Sequence, residues 1–236
     1  MNFLIRRTSK IFISSSKLKD IFRGQHSGAT FVMNTNYYDD NFIKYPVRTK
    51  KNDKIRFVYS GSTVKYQMIT ETLLLFKYYH EKQNNSELLL LIRDNTELVK
   101  KKIKELELDP GSIIFSFAPS LKELNDQFVN CDIAIMLREV NSLNTYAFPT
   151  KFAEYLASGL PIISTKGVYD TWEMIVEQDL GVIIDLKNPL ITEVSKVDDF
   201  IQKIDYKLKC KCADFSFQKL SWSNNISRIY QEIIEL

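Results

Sequence analysis

IAIMLREVNSLNTYAFPTKFAEYLASGLPIIS, residues 133–164, decides the fold of this chain. The stretch starts with an apolar run, passes through a polar loop into a segment whose apolar residues recur every three or four positions, and ends in a second apolar run. Gly159 follows that segment at the point where a helix should end. This order predicts a strand–helix–strand unit with parallel strands.

The same alternation extends outward from this stretch and covers most of the chain from Lys54 onward. Most of the apolar runs are nearly continuous, which is typical of strands buried on both faces of a sheet. Strands are predicted at residues 55–59, 88–92, 113–117, 133–137, 160–164 and 182–184. Helices are predicted at residues 66–81, 97–106, 121–130, 150–157 and 171–177. The predicted fold class is therefore α/β, with a doubly wound parallel sheet.

Both ends of the chain depart from this pattern. Residues 10–14 and 30–33 predict two strands around one helix, which is too little to fold alone and indicates a fragment of a second α/β domain. At the other end, Ile226, Ile229, Tyr230 and Ile233 form the apolar stripe of a helix, and that stripe needs a partner surface. We predict an N-terminal fragment with a linker (1–53), a main domain (54–219) and a C-terminal helix (220–236).

Composition excludes several classes of protein. The formal net charge is +3 with a sequence pI near 8.6, and this mild imbalance does not support a nucleic-acid-binding face. No segment approaches the roughly 20 apolar residues of a membrane helix, and the start of the chain lacks the pattern of a signal peptide. Cys131, Cys210 and Cys212 lack the spacing of a metal site and predict reduced thiols. We expect a cytoplasmic protein, open to peripheral association with the inner face of a membrane.

The loop after the first predicted strand of the main domain is one candidate site, because ligands of open parallel sheets bind at the carboxyl ends of the strands. Gly61 permits close approach of a ligand, while Ser62 and Lys65 supply groups that can bind an anion. The same residues also suit an ordinary tight turn between a strand and a helix. The seven glycines of the chain form neither a dinucleotide-binding nor a P-loop fingerprint.

The loop after the fourth predicted strand starts with Arg138 and ends where Pro149 opens a helix. The free N–H groups of Thr150 and Lys151, at the positive end of that helix, predict an anion site. Glu154 lies one turn further along, where its carboxylate can accept hydrogen bonds from the neighbouring hydroxyls of a ribose. The alternative is that Lys151 and Glu154 form only a solvated pair on the helix surface.

These residues belong to a longer match. PTKFAEYLASGLPIIST (149–165) and GVYDTWEMIVEQDLGVIID (167–185) resemble the C-terminal, donor-binding domain of GT-B glycosyltransferases, in particular the retaining enzymes of family 4. Weaker similarity lies in YSGS (59–62), in LKELNDQFVNCDIAIML (121–137) and in the segment from Ser221-Trp222 to Tyr230. The resemblance covers residues 54–236 and implies a Rossmann-like donor-binding domain at 54–219.

The resemblance also implies roles for the matched residues. The donor-binding residues that it implies are Gly61, Ser62, Phe148, Pro149, Thr150, Lys151 and Glu154. Among these, Thr150 and Lys151 would contact the diphosphate of a nucleotide sugar, and Glu154 would bind its ribose. Lys65 or Arg138 would neutralise phosphate charge and so stabilise the leaving group. This scheme requires no metal and no other cofactor.

Three departures from the family pattern concern activity. Members often carry an earlier glutamate, which falls on Tyr146 here, and they commonly have arginine where this chain has Ser62. The family's N-terminal acceptor domain is represented only by a segment like residues 10–34, onto which the C-terminal helix would pack back. The resemblance therefore implies a separate chain that carries the acceptor domain, or a truncated product.

The leading hypothesis is a hexosyltransferase-like glycosyltransferase, or its donor-binding half, which uses a nucleotide-diphosphate sugar in cell-surface polysaccharide or glycan synthesis. One alternative is a catalytically inert nucleotide-sugar-binding module or a truncated remnant. Another is a nucleotide-sugar epimerase, for which His26 and His80 are poorly placed. The residues identify neither the nucleotide base, the sugar, the acceptor nor the stereochemical outcome.

Overall fold

The predicted apolar runs form one parallel sheet in the computed structural model of the chain, which describes residues 9–23, 28–42 and 54–235. Two strands near the N-terminus pair with each other in a separate parallel sheet. The strands are β1 (Lys10–Ile13), β2 (Thr30–Met33), β3 (Ile55–Gly61), β4 (Ser86–Ile92), β5 (Ile113–Ser116), β6 (Ile133–Met136), β7 (Ile162–Ser164) and β8 (Gly181–Ile183). The predicted α/β class with a doubly wound parallel sheet is confirmed.

Helices alternate with these strands, and three of them, the fifth, eighth and ninth below, are not predicted from the sequence pattern. The helices are α1 (Ser16–Arg23), α2 (Ile69–Gln83), α3 (Thr96–Glu105), α4 (Leu121–Phe128), α5 (Ser142–Thr145), α6 (Thr150–Ala157), α7 (Tyr169–Glu177), α8 (Leu190–Ile201), α9 (Tyr206–Leu220) and α10 (Trp222–Ile234). Within the described ranges, none of them has the length and apolar character that crossing a membrane demands.

Helix α2 begins at Ile69, three residues later than the sequence pattern predicts. A 3-10 turn, Lys65–Gln67, precedes it, and Met68 has the left-handed backbone angle φ of 54° between the two elements. Such an angle interrupts a right-handed helix. Lys65 consequently lies on an exposed turn at the carboxyl edge of the sheet instead of leading into the helix.

The strand order of the larger sheet is β5-β4-β3-β6-β7-β8, so the chain runs outward in both directions from the β3–β6 pair. These two strands share register only at Phe57↔Ile133 and Val58↔Ala134, and they separate towards their carboxyl ends. Successive side chains of a strand point to opposite faces of the sheet, and each face is covered by its own apolar core. In folds of this kind, the crevice where the strand order reverses is the usual ligand site.

Strands β1 and β2, helix α1 and the chain up to Phe42 form what we call the N-terminal unit. The N–H of Ser16 donates to Asp170 Oδ2 at 2.8 Å, which attaches this unit to helix α7. Helix α10 contacts the unit from the other end of the chain, because Arg228 Nη2 donates to the carbonyl of Met33 at 3.0 Å and Lys10 pairs with Glu232 at 3.1 Å.

Candidate functional site

A cavity of about 360 Å³ opens at the carboxyl ends of β3, β4 and β5. Four of its lining residues, Ser60, Gly61, Ser62 and Lys151, come from the β3 loop and from the start of the helix that the sequence singles out. Parallel strands bring these loops together, since all of their carboxyl ends lie at one edge of the sheet. The predicted convergence of the β3 loop and the start of α6 is therefore present in the structure.

The β3 loop is held by side chains of its own surroundings. Tyr59 Oη donates to the carbonyl of Ser62 at 2.7 Å, and the N–H of Ser62 donates to Gln67 Oε1 at 2.9 Å. Burial raises the pKa of Tyr59, so its hydroxyl stays protonated as a donor. A Cβ atom at Gly61 would crowd Gln67 Oε1 and would lie 2.9 Å from Tyr59 Oη, the two side-chain atoms that hold this loop. The loop is thus fixed while its outer surface faces the cavity.

Tyr155 links helix α6 to strand β3. Its hydroxyl accepts a hydrogen bond from Ser60 N–H at 2.7 Å and lies 3.3 Å from the carbonyl oxygen of the same residue, to which it donates. Burial is the main cause of a raised pKa for Tyr155, which keeps the proton on the hydroxyl. The sequence pattern predicts this residue only as part of the buried face of a helix, so its bridging contact is not predicted.

Helix α6 begins at Thr150 with Pro149 at its N-cap position and with no side-chain cap. Thr150 is exposed, and Lys151 Nζ lies 2.5 Å from Glu154 Oε2 in an ion pair. The sequence left open that these two residues form only a solvated pair on the helix surface. They do form a pair, but it is not a solvated one, since the Glu154 side chain is only 8% exposed. Lys151 lines the cavity, whereas Glu154 lies beneath the first turn and does not.

Phe148 precedes this helix, and its side chain packs in the core and does not line the cavity. Its side chain is buried, and its ring lies 5.7 Å from that of Phe152 in an edge-to-face arrangement. Its carbonyl oxygen accepts a hydrogen bond of 2.5 Å from Asn36 Nδ2 of the N-terminal unit. The packing of Phe148 therefore sets the direction in which the chain enters α6.

Arg138 and Lys65, the two cations predicted to neutralise phosphate charge, do not line the cavity. Arg138 is buried just after β6, where its Nη1 donates to the carbonyl of Leu137 at 3.0 Å. Burial lowers the pKa of its guanidinium, and no carboxylate within the described ranges forms an ion pair with it. Lys65 is exposed on the 3-10 turn.

Several further residues line the cavity without having been singled out from the sequence, among them three with charged or aromatic side chains. Arg93 and Asp94 follow β4, and Phe117 follows β5. The guanidinium carbon of Arg93 lies 5.5 Å from the centre of the Phe117 ring, close enough for a cation–π interaction. These residues carry no motif, but Arg93 and Asp94 follow the strand predicted at 88–92 and Phe117 ends the strand predicted at 113–117, and those positions at the ligand-binding edge could have identified them.

The N-terminal unit reaches the loop that leads into α6. Ser15, which is buried, donates from its hydroxyl to the carbonyl of Tyr146 at 2.9 Å. Tyr146 is the position at which the family resemblance implies a carboxylate. The described residues contain no cluster of three or more His, Cys, Asp or Glu side chains arranged to hold a metal ion.

Solved structures share this fold. WaaG, a glycosyltransferase involved in lipopolysaccharide biosynthesis, matches with a TM-score of 0.70 and 13% identity over 91% of this chain and 61% of its own. Sucrose-phosphate synthase from Thermosynechococcus elongatus matches with a TM-score of 0.75 and 11% identity over 99% and 60%, respectively. Anabaena Alr3699/HepE, solved in complex with UDP, matches with a TM-score of 0.71 and 13% identity over 97% and 64%. This chain spans less than two thirds of the length of each.

The fold is therefore that of the C-terminal part of a GT-B glycosyltransferase, as the sequence resemblance predicts. The sequence pattern of the family described as "Glycosyl transferases group 1" matches residues 41–216, which is most of the chain. The chain belongs to this family. No curated protein sequence matches it at a significant level.

Proposed function

We propose that this chain is the donor-binding part of a glycosyltransferase that takes a sugar from a nucleotide-diphosphate sugar, in the synthesis of a cell-surface polysaccharide or another glycan. The observation that carries the proposal is the convergence of Gly61, Ser62 and Lys151 at one cavity beside the uncapped start of α6. Membership of the glycosyl transferase family supports this chemistry. The three free cysteines support a cytoplasmic location.

The diphosphate of the donor is proposed to bind at the start of α6. Backbone N–H groups at Thr150 and Lys151 and the dipole of the helix favour an anion there. Lys151 turns from Glu154 to the phosphates, and the released carboxylate accepts hydrogen bonds from the ribose hydroxyls. The backbone of Gly61 and Ser62 closes the opposite side of the diphosphate. Similarity to a structure that contains UDP supports a nucleotide diphosphate as ligand.

The nucleotide base is proposed to lie against Phe117. An aromatic ring with a guanidinium 5.5 Å from its centre offers a flat, polarisable surface on which a base can stack. Asp94, which lines the same cavity, supplies an acceptor for N–H groups at the edge of the base. The cavity thereby extends from the phosphate site towards β4 and β5.

Leaving-group stabilisation is proposed to come from cations and backbone dipoles, without a metal ion. Lys151 contacts the phosphates directly. Arg138 has a buried charge that no carboxylate of the described residues neutralises, and it therefore makes the potential beneath the β3 loop more positive. Lys65 lies on the exposed turn next to that loop and screens charge from the solvent side. Charge stabilisation of a departing nucleotide diphosphate is an established way to lower such a barrier.

Transfer of the sugar is proposed to require an α/β acceptor domain that extends the N-terminal unit. Hydrogen bonds from Thr30 N–H to Ser9 and from Asn34 N–H to Ile13, both 2.8 Å, direct alternate residues of β1 towards β2. The backbone groups of Lys10 and Phe12 therefore point to the outer edge of β1, where the described part of the chain offers no partner. Ile226 and Tyr230 are exposed on α10, the helix whose Arg228 and Glu232 contact this unit.

The experiment is a thermal shift measurement with UDP, GDP and other nucleotide diphosphates, in the presence and absence of EDTA. A ligand at 100 times its Kd stabilises the folded state by about 2.7 kcal/mol. For a domain of this size the increase in Tm is about 5 to 10 °C. The increase is expected to survive EDTA, because the proposed site contains no metal.

Glu154→Gln is expected to weaken the affinity for the nucleotide about tenfold or more, because a charged hydrogen bond to the ribose contributes about 1.5–3 kcal/mol. Glu97→Gln is the matched control, since Glu97 also pairs with a lysine three residues away, Lys100, but on the exposed face of α3. Absence of a shift with every nucleotide diphosphate contradicts the proposal. Binding without turnover, when an acceptor domain is supplied, favours the inert module that the replacement at Tyr146 also suggests.

A further inference from the structure

One end of the cavity beside α6 carries two charges of opposite sign and an aromatic ring. Arg93, Asp94 and Phe117 line the cavity where β4 and β5 end, and we call these three residues the base end. Lys151 and the loop after β3 line the other end, where the diphosphate is proposed to bind. The chemistry of the base end therefore bears on which nucleotide base the cavity accepts.

Asp94 opposes the binding of a diphosphate unless the ligand also donates hydrogen bonds to it, because like charges repel each other. Its carboxylate is exposed to the cavity and forms neither an ion pair nor a hydrogen bond with any residue that the structure describes. It does not cap helix α3, which begins at Thr96 without a side-chain cap. The carboxylate is therefore available to a ligand.

Arg93 supplies hydrogen-bond donors next to this carboxylate. The chain bends at Arg93 and Asp94, directly after β4, and both side chains line the same cavity. The guanidinium is also exposed, and it forms no ion pair within the described ranges. A guanidinium carries only donors, and an ionised carboxylate carries only acceptors. The base end thus offers a donor group beside two acceptor oxygens.

The nucleotide bases differ in the donors and acceptors that they present along one edge. Guanine presents an acceptor, O6, beside two donors, the N1–H and the amino group at C2. Uracil presents one N–H between two carbonyl oxygens, and adenine and cytosine each present an amino group beside a ring nitrogen that accepts. Guanine is therefore the base among these four that gives a carboxylate two hydrogen bonds without setting an acceptor against it.

We infer that the donor is a sugar linked to guanosine diphosphate, an inference that rests on the donor-binding function proposed above. The N1–H and the amino group of guanine donate to the two carboxylate oxygens of Asp94, and the guanidinium of Arg93 donates to O6. The base stacks on the ring of Phe117, which is 55% exposed. Because the guanidinium carbon lies 5.5 Å from the centre of that ring, it is within reach of a stacked base.

The test is the Kd of the full chain for GDP, UDP, ADP and inosine diphosphate, measured by isothermal titration calorimetry. GDP is expected to bind about tenfold or more tightly than UDP or ADP, because two charge-assisted hydrogen bonds to Asp94 depend on guanine. Inosine diphosphate lacks the amino group at C2 and is expected to bind more weakly than GDP. UDP, ADP or inosine diphosphate binding as tightly as GDP would overturn the inference and leave the proposed function intact. If no nucleotide diphosphate binds, the proposed function fails, and this inference fails with it.

Asp94→Asn assigns the preference to one side chain, because it replaces one acceptor by a donor without a change of shape. The variant is expected to lose most of the preference for GDP over UDP. It is also expected to bind xanthosine diphosphate more tightly than the wild type does, since xanthine has a carbonyl oxygen in place of the amino group at C2. Asp199→Asn is the matched control at an exposed position of α8 and is expected to keep the wild-type preference. An unchanged preference in Asp94→Asn, or an equal loss in Asp199→Asn, would overturn the inference.

Discussion

At the scale of single residues, the hydroxyl of Tyr155 makes the backbone hydrogen bonds that a neighbouring strand would otherwise make with Ser60. Beyond Val58, β3 and β6 have separated, so β6 does not supply the hydrogen bonds that Ser60 needs on that side. Tyr155 provides both, at 2.7 and 3.3 Å, from a side chain that is 1% exposed. The two strands can therefore separate and open the crevice while the N–H and the carbonyl group of Ser60 keep hydrogen-bond partners.

Tyr155→Phe is expected to destabilise the protein by about 1–3 kcal/mol, since it leaves a buried N–H and a buried carbonyl group of Ser60 without a partner. Urea denaturation measures the loss. Tyr230→Phe is the control, because Tyr230 is 58% exposed and its substitution should have little effect. Equal free energies of unfolding for both variants would show that the bridge contributes nothing.

The candidate site is only partly predictable residue by residue. The convergence of Gly61, Ser62 and Lys151 follows from the strand–loop order, because carboxyl ends of parallel strands meet at one edge. The burial of Arg138 does not follow from the sequence, since it depends on how the aromatic residues around β3 pack. Phe117 was missed for another reason, which is that the pattern places it inside the strand predicted at 113–117, whereas β5 ends at Ser116.

At the scale of elements, every predicted strand of the main domain is present, with small changes at the ends. Strand β7 begins at Ile162 instead of residue 160 because the N–H that would extend the ladder is missing at Pro161. Helix α9 is not predicted from the sequence pattern, because polar residues of this helix face the core. Lys209 is buried against Asp132 at 3.2 Å, and Ser216 donates to the carbonyl of Ala153 at 2.9 Å. Such contacts obscure the apolar stripe of a helix.

Strand β8 depends on one glycine. A Cβ atom at Gly181 would lie 2.8 Å from the backbone N and C of Ile162 in β7. Gly181→Ala is therefore expected to push the two strands apart and to cost about 1–3 kcal/mol, as overpacking does elsewhere. Gly28→Ala is the control, because a Cβ atom there meets nothing within 4 Å. Chemical denaturation of both variants checks the difference, and an unchanged Gly181→Ala protein would contradict it.

At the scale of the whole molecule, the N-terminal unit is held against the main domain by Tyr38, which is buried in the core, and by several polar contacts. Asp170 is buried at the start of α7, and it accepts hydrogen bonds from both the N–H and the hydroxyl of Ser16. Ser15 and Asn36 add bonds to the loop before α6. The position of the unit therefore depends on contacts that local sequence patterns do not encode, since Ser16 and Asp170 lie 154 residues apart.

Asp170→Ala is expected to loosen the N-terminal unit while the main domain keeps its fold. Hydrogen exchange should become faster in residues 9–42 and stay unchanged in β3, β4 and β6. Asp199→Ala, at an exposed position of α8, serves as the control. Faster exchange throughout the chain, or none in residues 9–42, would show that Asp170 does not contribute to the attachment.

The ion pair between Lys151 and Glu154 has a consequence for which molecules the proposed site accepts. A small anion that attracts Lys151 leaves a carboxylate that is 8% exposed without its cation, and that loss opposes binding. A neutral diol that bonds to Glu154 has no group to offer Lys151 in return. In the proposed site, a molecule that carries both a phosphate and vicinal hydroxyls at the right spacing compensates for both losses. The pair is therefore expected to favour such a molecule over free phosphate or a free nucleoside.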